Sequence, residues 1–195
     1  MRGDLDRVLF TEDQIAARVG EIADALARDL QAELEREGAD DSRGHIALIP
    51  IMTGALFFAA DLLRRLPMKL SVDLVTVSSY PGRSLESRGA KIESELPPDL
   101  AGKHVVIIDD ILDSGRTMML VRDLARVRSP ASVRTVVMLD KPARRVVDIQ
   151  PDYKGFDVPD EFVVGYGLDF DGYYRNLTDI AVVKPEHLQA ERDDG

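Results

Sequence analysis

Residues 105–118 read VVIIDDILDSGRTM, and three carboxylates, Asp109, Asp110 and Asp113, lead directly into Ser114, Gly115, Arg116 and Thr117. The two groups suit different chemistry. Carboxylates only accept hydrogen bonds, so adjacent ones suit sugar hydroxyls or a hydrated Mg²⁺. Ser-Gly-Arg-Thr at a helix start suits an anion, because unpaired backbone N–H groups and the positive end of the helix dipole attract phosphate. Gly115 is expected to let the backbone approach such a ligand closely. Asp113, beside the phosphate cradle, is placed to accept a proton. A ligand with vicinal hydroxyls, a phosphate and a metal satisfies the whole stretch, and a phosphorylated ribose bearing pyrophosphate is such a ligand. The competing reading has no ligand: the acids cap a helix in a βα turn. Neither GxxxxGK[ST] nor GxGxxG occurs, so this is neither a Walker loop nor a dinucleotide fingerprint.

A strand followed by a helix is needed to hold these groups, and the flanking pattern supplies several such units. Val105–Ile108 is a fully apolar strand, Gly115 to about Val127 a helix, and Ser132–Leu139 another strand. Upstream, Thr11-Glu12-Asp13-Gln14 is a capping box. Apolar residues then recur at Ile15, Val19, Ile22, Leu26 and Leu30, with Gly38 as a stop, which predicts a helix over about 12–36. His45–Ile51 reads as a buried strand, Gly54 opens a second helix that Pro67 closes, and Leu70–Ser79 reads as a strand. Residues 80–89 (YPGRSLESRG) lack periodicity and predict a long mobile loop, and the tail EHLQAERDDG reads as frayed. Alternating apolar strands and helices predict α/β architecture, a parallel sheet covered on both faces, in one domain. In such sheets ligands bind where strands end and helices begin.

Composition bounds the partners. The 195 residues are 45% hydrophobic and 31% charged, as in a soluble globular domain, and no apolar run approaches a bilayer span. The N-terminus lacks a signal-peptide core, so a cytoplasmic setting is expected. Cysteine is absent, which removes disulfides, thiolate nucleophiles and cysteine zinc sites. A net charge of −10 argues against nucleic-acid partners, although a metal can reverse the field locally for a small anion. His45, His104 and His187 make no metal-ligand spacing and read as strand-edge or surface histidines.

VVIIDDILDSGRTM resembles the ribose-phosphate motif of the type I phosphoribosyltransferases. IPIMTGALFFAADLLRRL (49–66), VSSY (77–80), LDKPARR (139–145) and PDYKGFDVPDEFVVGYGLDFDGYYRNL (151–177) are similar to the hypoxanthine-guanine branch, over roughly residues 7–185. The resemblance implies a mostly parallel twisted sheet flanked by helices. It implies one domain over residues 1–195, with a core of about 40–160 and a small hood from about 1–10 and 155–185. It implies transfer of a phosphoribosyl group from 5-phosphoribosyl 1-pyrophosphate to a 6-oxopurine, with Mg²⁺, in a homodimer or homotetramer. Asp113 would be the general base at purine N7. Asp109 and Asp110 would hold the ribose hydroxyls and their Mg²⁺, and Asp113–Thr117 would cradle the 5-phosphate. Lys141 would donate to the 6-oxo group, which selects against adenine and its amino donor. Phe162 would stack on the purine and the Val163 backbone would bond its edge. Asp169 would bind a second Mg²⁺ or its water shell, and Arg175 would clamp pyrophosphate.

Three departures stand out. Thr53-Gly54 occupies the family's pyrophosphate loop, where lysine commonly precedes glycine. The resemblance implies a cis bond between Met52 and Thr53, with backbone amides left to bind diphosphate. Ser79-Tyr80 begins the closing loop, but LESRG replaces the family's serine-glycine repeat. Asp109 stands where many members carry glutamate. Two alternatives are weighed: a xanthine-preferring transferase, and an RNA-binding regulator on the same fold, which the −10 charge disfavours.

Overall fold

The computed structural model describes residues 2–39, 44–78, 91–92 and 94–187. The expected loop at 80–89, the closing-loop residues Ser79 and Tyr80 and the frayed tail from 188 onward lie outside the described residues.

The main sheet runs β5-β4-β2-β6-β7-β8, with β3 also paired to β2. Its strands are β2 (Ile46–Met52), β3 (Ser71–Val72), β4 (Val75–Ser78), β5 (Lys91–Ile92), β6 (His104–Leu112), β7 (Ser132–Asp140) and β8 (Tyr153–Asp157). Every pairing is parallel except β4 with β5. The single strand expected over 70–79 is two short ones, because the chain leaves β2 at Asp73–Leu74 before rejoining it further along. A second sheet, β1-β10-β9, takes Leu5–Phe10, Ile180–Val183 and Val163–Val164. Phe10 stacks on Phe156 of β8 with ring centres 3.9 Å apart, which ties the small sheet to the large one.

Helix α1 (Glu12–Glu37) begins with both arms of the capping box: Thr11 Oγ1 accepts from Gln14 N–H and the Gln14 side chain accepts from Thr11 N–H. Gly38, at φ 63°, ends it in the left-handed conformation that glycine adopts without penalty. Helix α2 (Leu56–Leu63) starts two residues after Gly54, and α3 covers Arg116–Arg126. Strand alternation sets the layers. Val106 and Ile108 face α1 and α2, against Leu26, Leu30 and Phe58. Val105, Ile107 and Val137 face α3, against Met118 and Val121. These side chains are at most 1% exposed, and each such aliphatic burial stabilises by about 1.5–3 kcal/mol.

Candidate active site

Strand β6 does not stop at Ile108. It runs through both aspartates to Leu112, because β7 offers a continuous parallel partner as far as Leu112↔Asp140. Asp109 and Asp110 are therefore residues within a strand, not the first residues of a loop. Burial, and then the charge of Asp110, hold the Asp109 carboxyl well above the usual carboxylate range. Burial also raises Asp110, opposed by hydrogen bonds and by the Arg175 charge. Such a pair calls for a cation. Among the described residues no three acidic or histidine side chains converge into a protein-only metal site. Two carboxylates that leave further positions to substrate oxygens and water suit Mg²⁺, so the residues present fit that ion.

Asp113 follows in the loop. Its Oδ1 is buried and has no hydrogen-bond partner, an acceptor held ready for an incoming donor. Ser114 Oγ accepts from Arg116 N–H at 3.4 Å, and the first-turn amides of α3 lack partners within the helix. Gly115 is also required by its own surroundings. At φ 83° its missing Cβ would lie 2.6 Å from Ile149 Cγ2 and 2.8 Å from Arg145 Cδ, so the close approach is to the chain's own side chains.

The Met52–Thr53 peptide bond is cis, as the resemblance implied. A Cβ on Gly54 would lie 1.8 Å from Asp110 Oδ2, and one on Gly167 would lie 2.1 Å from the Gly54 carbonyl oxygen. Three segments thus meet in contact, and Thr53 sits exposed beside them. Arg175 donates to the Gly167 carbonyl at 2.6 Å and pairs with Asp169 at 2.7 Å. Asp169 also accepts from Gly172 N–H.

Lys141 lies just past β7, 5% exposed, and its Nζ donates to the Glu161 carbonyl at 2.8 Å. Its backbone N–H donates to Leu112 O, joining its loop to that of Asp113. Phe162 is 42% exposed with Phe170 packed edge-on at 5.3 Å, so it is held without being buried in the core. Val163 pairs with Val182 in the small sheet. Asp109 to Thr117 and Lys141 thus lie at the strand ends of β6 and β7, Val163 lies in the small sheet, and Asp169 and Arg175 lie in the segment that joins β9 to β10.

Sequence reasoning missed the second rank. Arg144 lies 3.9 Å from Asp113 Oδ2 and 2.7 Å from Asp160, which also neighbours Lys141. Arg145 and Asp140 form a buried ion pair beneath the loop. LDKPARR contained these residues, but Arg145 donates mostly to backbone carbonyls, which leave no mark on a sequence.

Residues 18–171 match the family model described as "Phosphoribosyl transferase domain". A hypoxanthine-guanine phosphoribosyltransferase from Bacillus subtilis is 40% identical over 95% of this chain and 97% of its own length. A bifunctional TilS/HprT protein from Listeria innocua is 42% identical over 95% of this chain, which spans only 27% of that longer relative. The crystal structure of a hypoxanthine phosphoribosyltransferase from Staphylococcus aureus superposes with a TM-score of 0.84 at 38% identity, covering 96% of each chain. With its type I fold and a family match over most of its length, the chain belongs to the phosphoribosyltransferases, in the hypoxanthine-guanine branch.

Proposed function

We propose that this chain salvages purines. It transfers the 5-phosphoribosyl group from 5-phosphoribosyl 1-pyrophosphate to N9 of hypoxanthine or guanine, giving the nucleoside monophosphate and pyrophosphate. The observation that carries this reading is the unpartnered buried Oδ1 of Asp113, in a loop bonded directly to the one that bears Lys141. An acceptor and a cationic side chain carried on adjoining strand ends match N7–H and the 6-oxo group of such a base.

In this reading N9 attacks C1′ of the ribose, the C1′–O bond to pyrophosphate breaks with its electron pair leaving on oxygen, and the purine proton passes from N7 to Asp113. A carboxylate is a weak base at neutral pH, so Asp113 assists a bond change driven mainly by departure of pyrophosphate. Asp109 and Asp110 hold the ribose hydroxyls, and the loop and first turn of α3, from Asp113 to Thr117, hold the 5-phosphate. Phe162 orients the purine ring and the Val163 backbone bonds its edge. Thr53, Gly54 and Arg175 face the pyrophosphate, and Ser79 and Tyr80 begin the segment that closes over the centre. Asp109 and Asp110, and on the other side Asp169, would hold Mg²⁺, which neutralises pyrophosphate charge. The proposal also takes the chain as one cytoplasmic domain that works as a homodimer or homotetramer. No helix among the described residues is long and apolar enough to cross a membrane. An RNA-binding role finds no support in a net charge of −10.

A base panel tests the reading: hypoxanthine, guanine, xanthine, adenine and uracil, radiolabelled, with 5-phosphoribosyl 1-pyrophosphate and Mg²⁺. Turnover of hypoxanthine and guanine is expected. Absence of turnover with every 6-oxopurine overturns it, and a clear preference for xanthine overturns the choice of base.

A further inference from the structure

Arg145 points away from the solvent-facing side of the loop and into the layer beneath it. Its side chain is 10% exposed. Nε donates to the Asp113 carbonyl at 2.9 Å, and Nη2 donates to the Leu112 carbonyl at 3.0 Å and to the Asp140 carboxylate. Nη1 donates to the Ile149 carbonyl. The neighbouring Val146 N–H takes the Ser114 carbonyl at 3.0 Å. Three consecutive carbonyls, that of Leu112 at the end of β6 and those of Asp113 and Ser114 in the loop, are thus held, the first two by Arg145, with the Lys141 and Val146 N–H groups on the first and last.

Peptide geometry gives this a consequence. In a trans peptide the C=O of one residue and the N–H of the next point in opposite directions. Carbonyls of Leu112, Asp113 and Ser114 drawn toward Arg145 turn the N–H groups of Asp113, Ser114 and Gly115 the other way. Among the described residues, no acceptor meets any of these three N–H groups. Consecutive free amides facing one way make an anion-binding concavity. The same anchoring fixes the backbone from which the Asp113 carboxylate projects.

We infer that Arg145 is a positioning residue for the 5-phosphate of the phosphoribosyl donor: it holds the loop carbonyls from behind, presents the loop amides to the phosphate and sets the place of Asp113. This rests on the reading of the site as a phosphoribosyl site. Asp140, fully buried and bonded to Lys154 as well, completes the anchor by neutralising the guanidinium. Only a planar fork reaches four acceptors at once; a lysine here keeps the charge near Asp140 but cannot bridge two successive carbonyls.

The test compares Arg145→Lys and Arg145→Met with Arg134→Lys. Arg134 is likewise a largely enclosed arginine, paired with Glu33 at 2.6 Å, but at the other end of β7. Thermal melting, steady-state kinetics with both substrates, and calorimetric binding of ribose 5-phosphate are measured on each full-length protein. For Arg145→Lys, KM for the phosphoribosyl donor should rise about tenfold and kcat fall by about ten- to a hundredfold, as for a displacement of about 1 Å in the cradle. Its ribose 5-phosphate affinity should weaken in parallel, while KM for hypoxanthine stays within about twofold. Arg134→Lys should melt lower with its kinetics unchanged. If Arg145→Met does not fold, Arg145→Lys still decides. A folded Arg145→Lys with native donor KM and native ribose 5-phosphate affinity overturns the inference, as does an equal loss toward both substrates. Failure of the unaltered chain to turn over any 6-oxopurine would instead overturn the functional reading, so the two failures are separable.

Discussion

Strands β6 and β7 carry charge at both ends and treat it in opposite ways. At the ends where the strands begin, His104 sits at 1% exposure with Nδ1 3.1 Å from Glu33 and Nε2 3.3 Å from Glu37. Arg134 pairs with Glu33 and donates to Ser132, and this holds the Glu33 carboxyl below the usual range. At the ends where the strands finish, Asp109 and Asp110 are enclosed side by side with their carboxyls pushed up, and Asp113 keeps a buried oxygen without a partner. The same ladder thus ends in matched charges on one side and mismatched ones on the other. Matched charges serve packing of α1 on the sheet. Mismatched ones are tolerable only where a ligand supplies the missing partners, which is where the phosphoribosyl donor is proposed to bind.

Breaking this comparison takes substitutions at each end. Asp113→Asn keeps the shape and removes the base, so kcat should fall about a hundredfold, at the low end for general base catalysis, with the melting temperature unmoved. Stopped assays and a melting curve check both halves, and an unchanged rate removes Asp113 from its assigned role. Arg134→Met should do the reverse. Stripping one partner from a largely buried pair costs about 2 kcal/mol here, allowing for the solvent that reaches it. Urea unfolding should register that loss while both KM values stay put.

Asp109→Asn sharpens the contrast, because it removes a carboxylate whose charge burial and the neighbouring Asp110 disfavour. The unliganded protein should gain about 1 kcal/mol and melt about 2–4 °C higher, while donor turnover falls sharply. A lower melting point would mean that Asp109 is already satisfied within the protein. The smallest effect concerns pH. Glu33 has a depressed carboxyl, so its contribution is present above its ordinary value of 4.5 and is lost as pH falls through its lower folded value. The melting-temperature gap between native protein and Glu33→Gln should therefore shrink as pH drops below 4.5 and close below the lowered folded value, and a gap that persists would assign the loss to packing instead.

Much of this could be read before the fold was known, because the relevant forces were local. The Thr11–Gln14 capping box, the α1 stripe and the left-handed Gly38 are all short-range and all occur. The acid motif and its helix start were legible for the same reason, although the strand was cut short at Ile108: charged residues read as a strand end until β7 is there to pair with them. His104 was misjudged as an ordinary strand-edge histidine, since its carboxylate partners lie on α1, far away in sequence. The packing of Gly115 against Ile149 and the role of Arg145 were passed over, because such packing and donation to backbone carbonyls leave no residue pattern.

The contact between Gly54, Asp110 and Gly167 constrains how this molecule can diverge. The space a methyl group would need at position 54 is held by the carboxylate, and at position 167 by the position-54 carbonyl. Neither glycine can drift alone, and neither can become the seat of a new specificity. Phe162, 42% exposed with the Phe170 ring packed edge-on, has more room. A change of side chain is thus tolerated more readily at Phe162 than at either glycine.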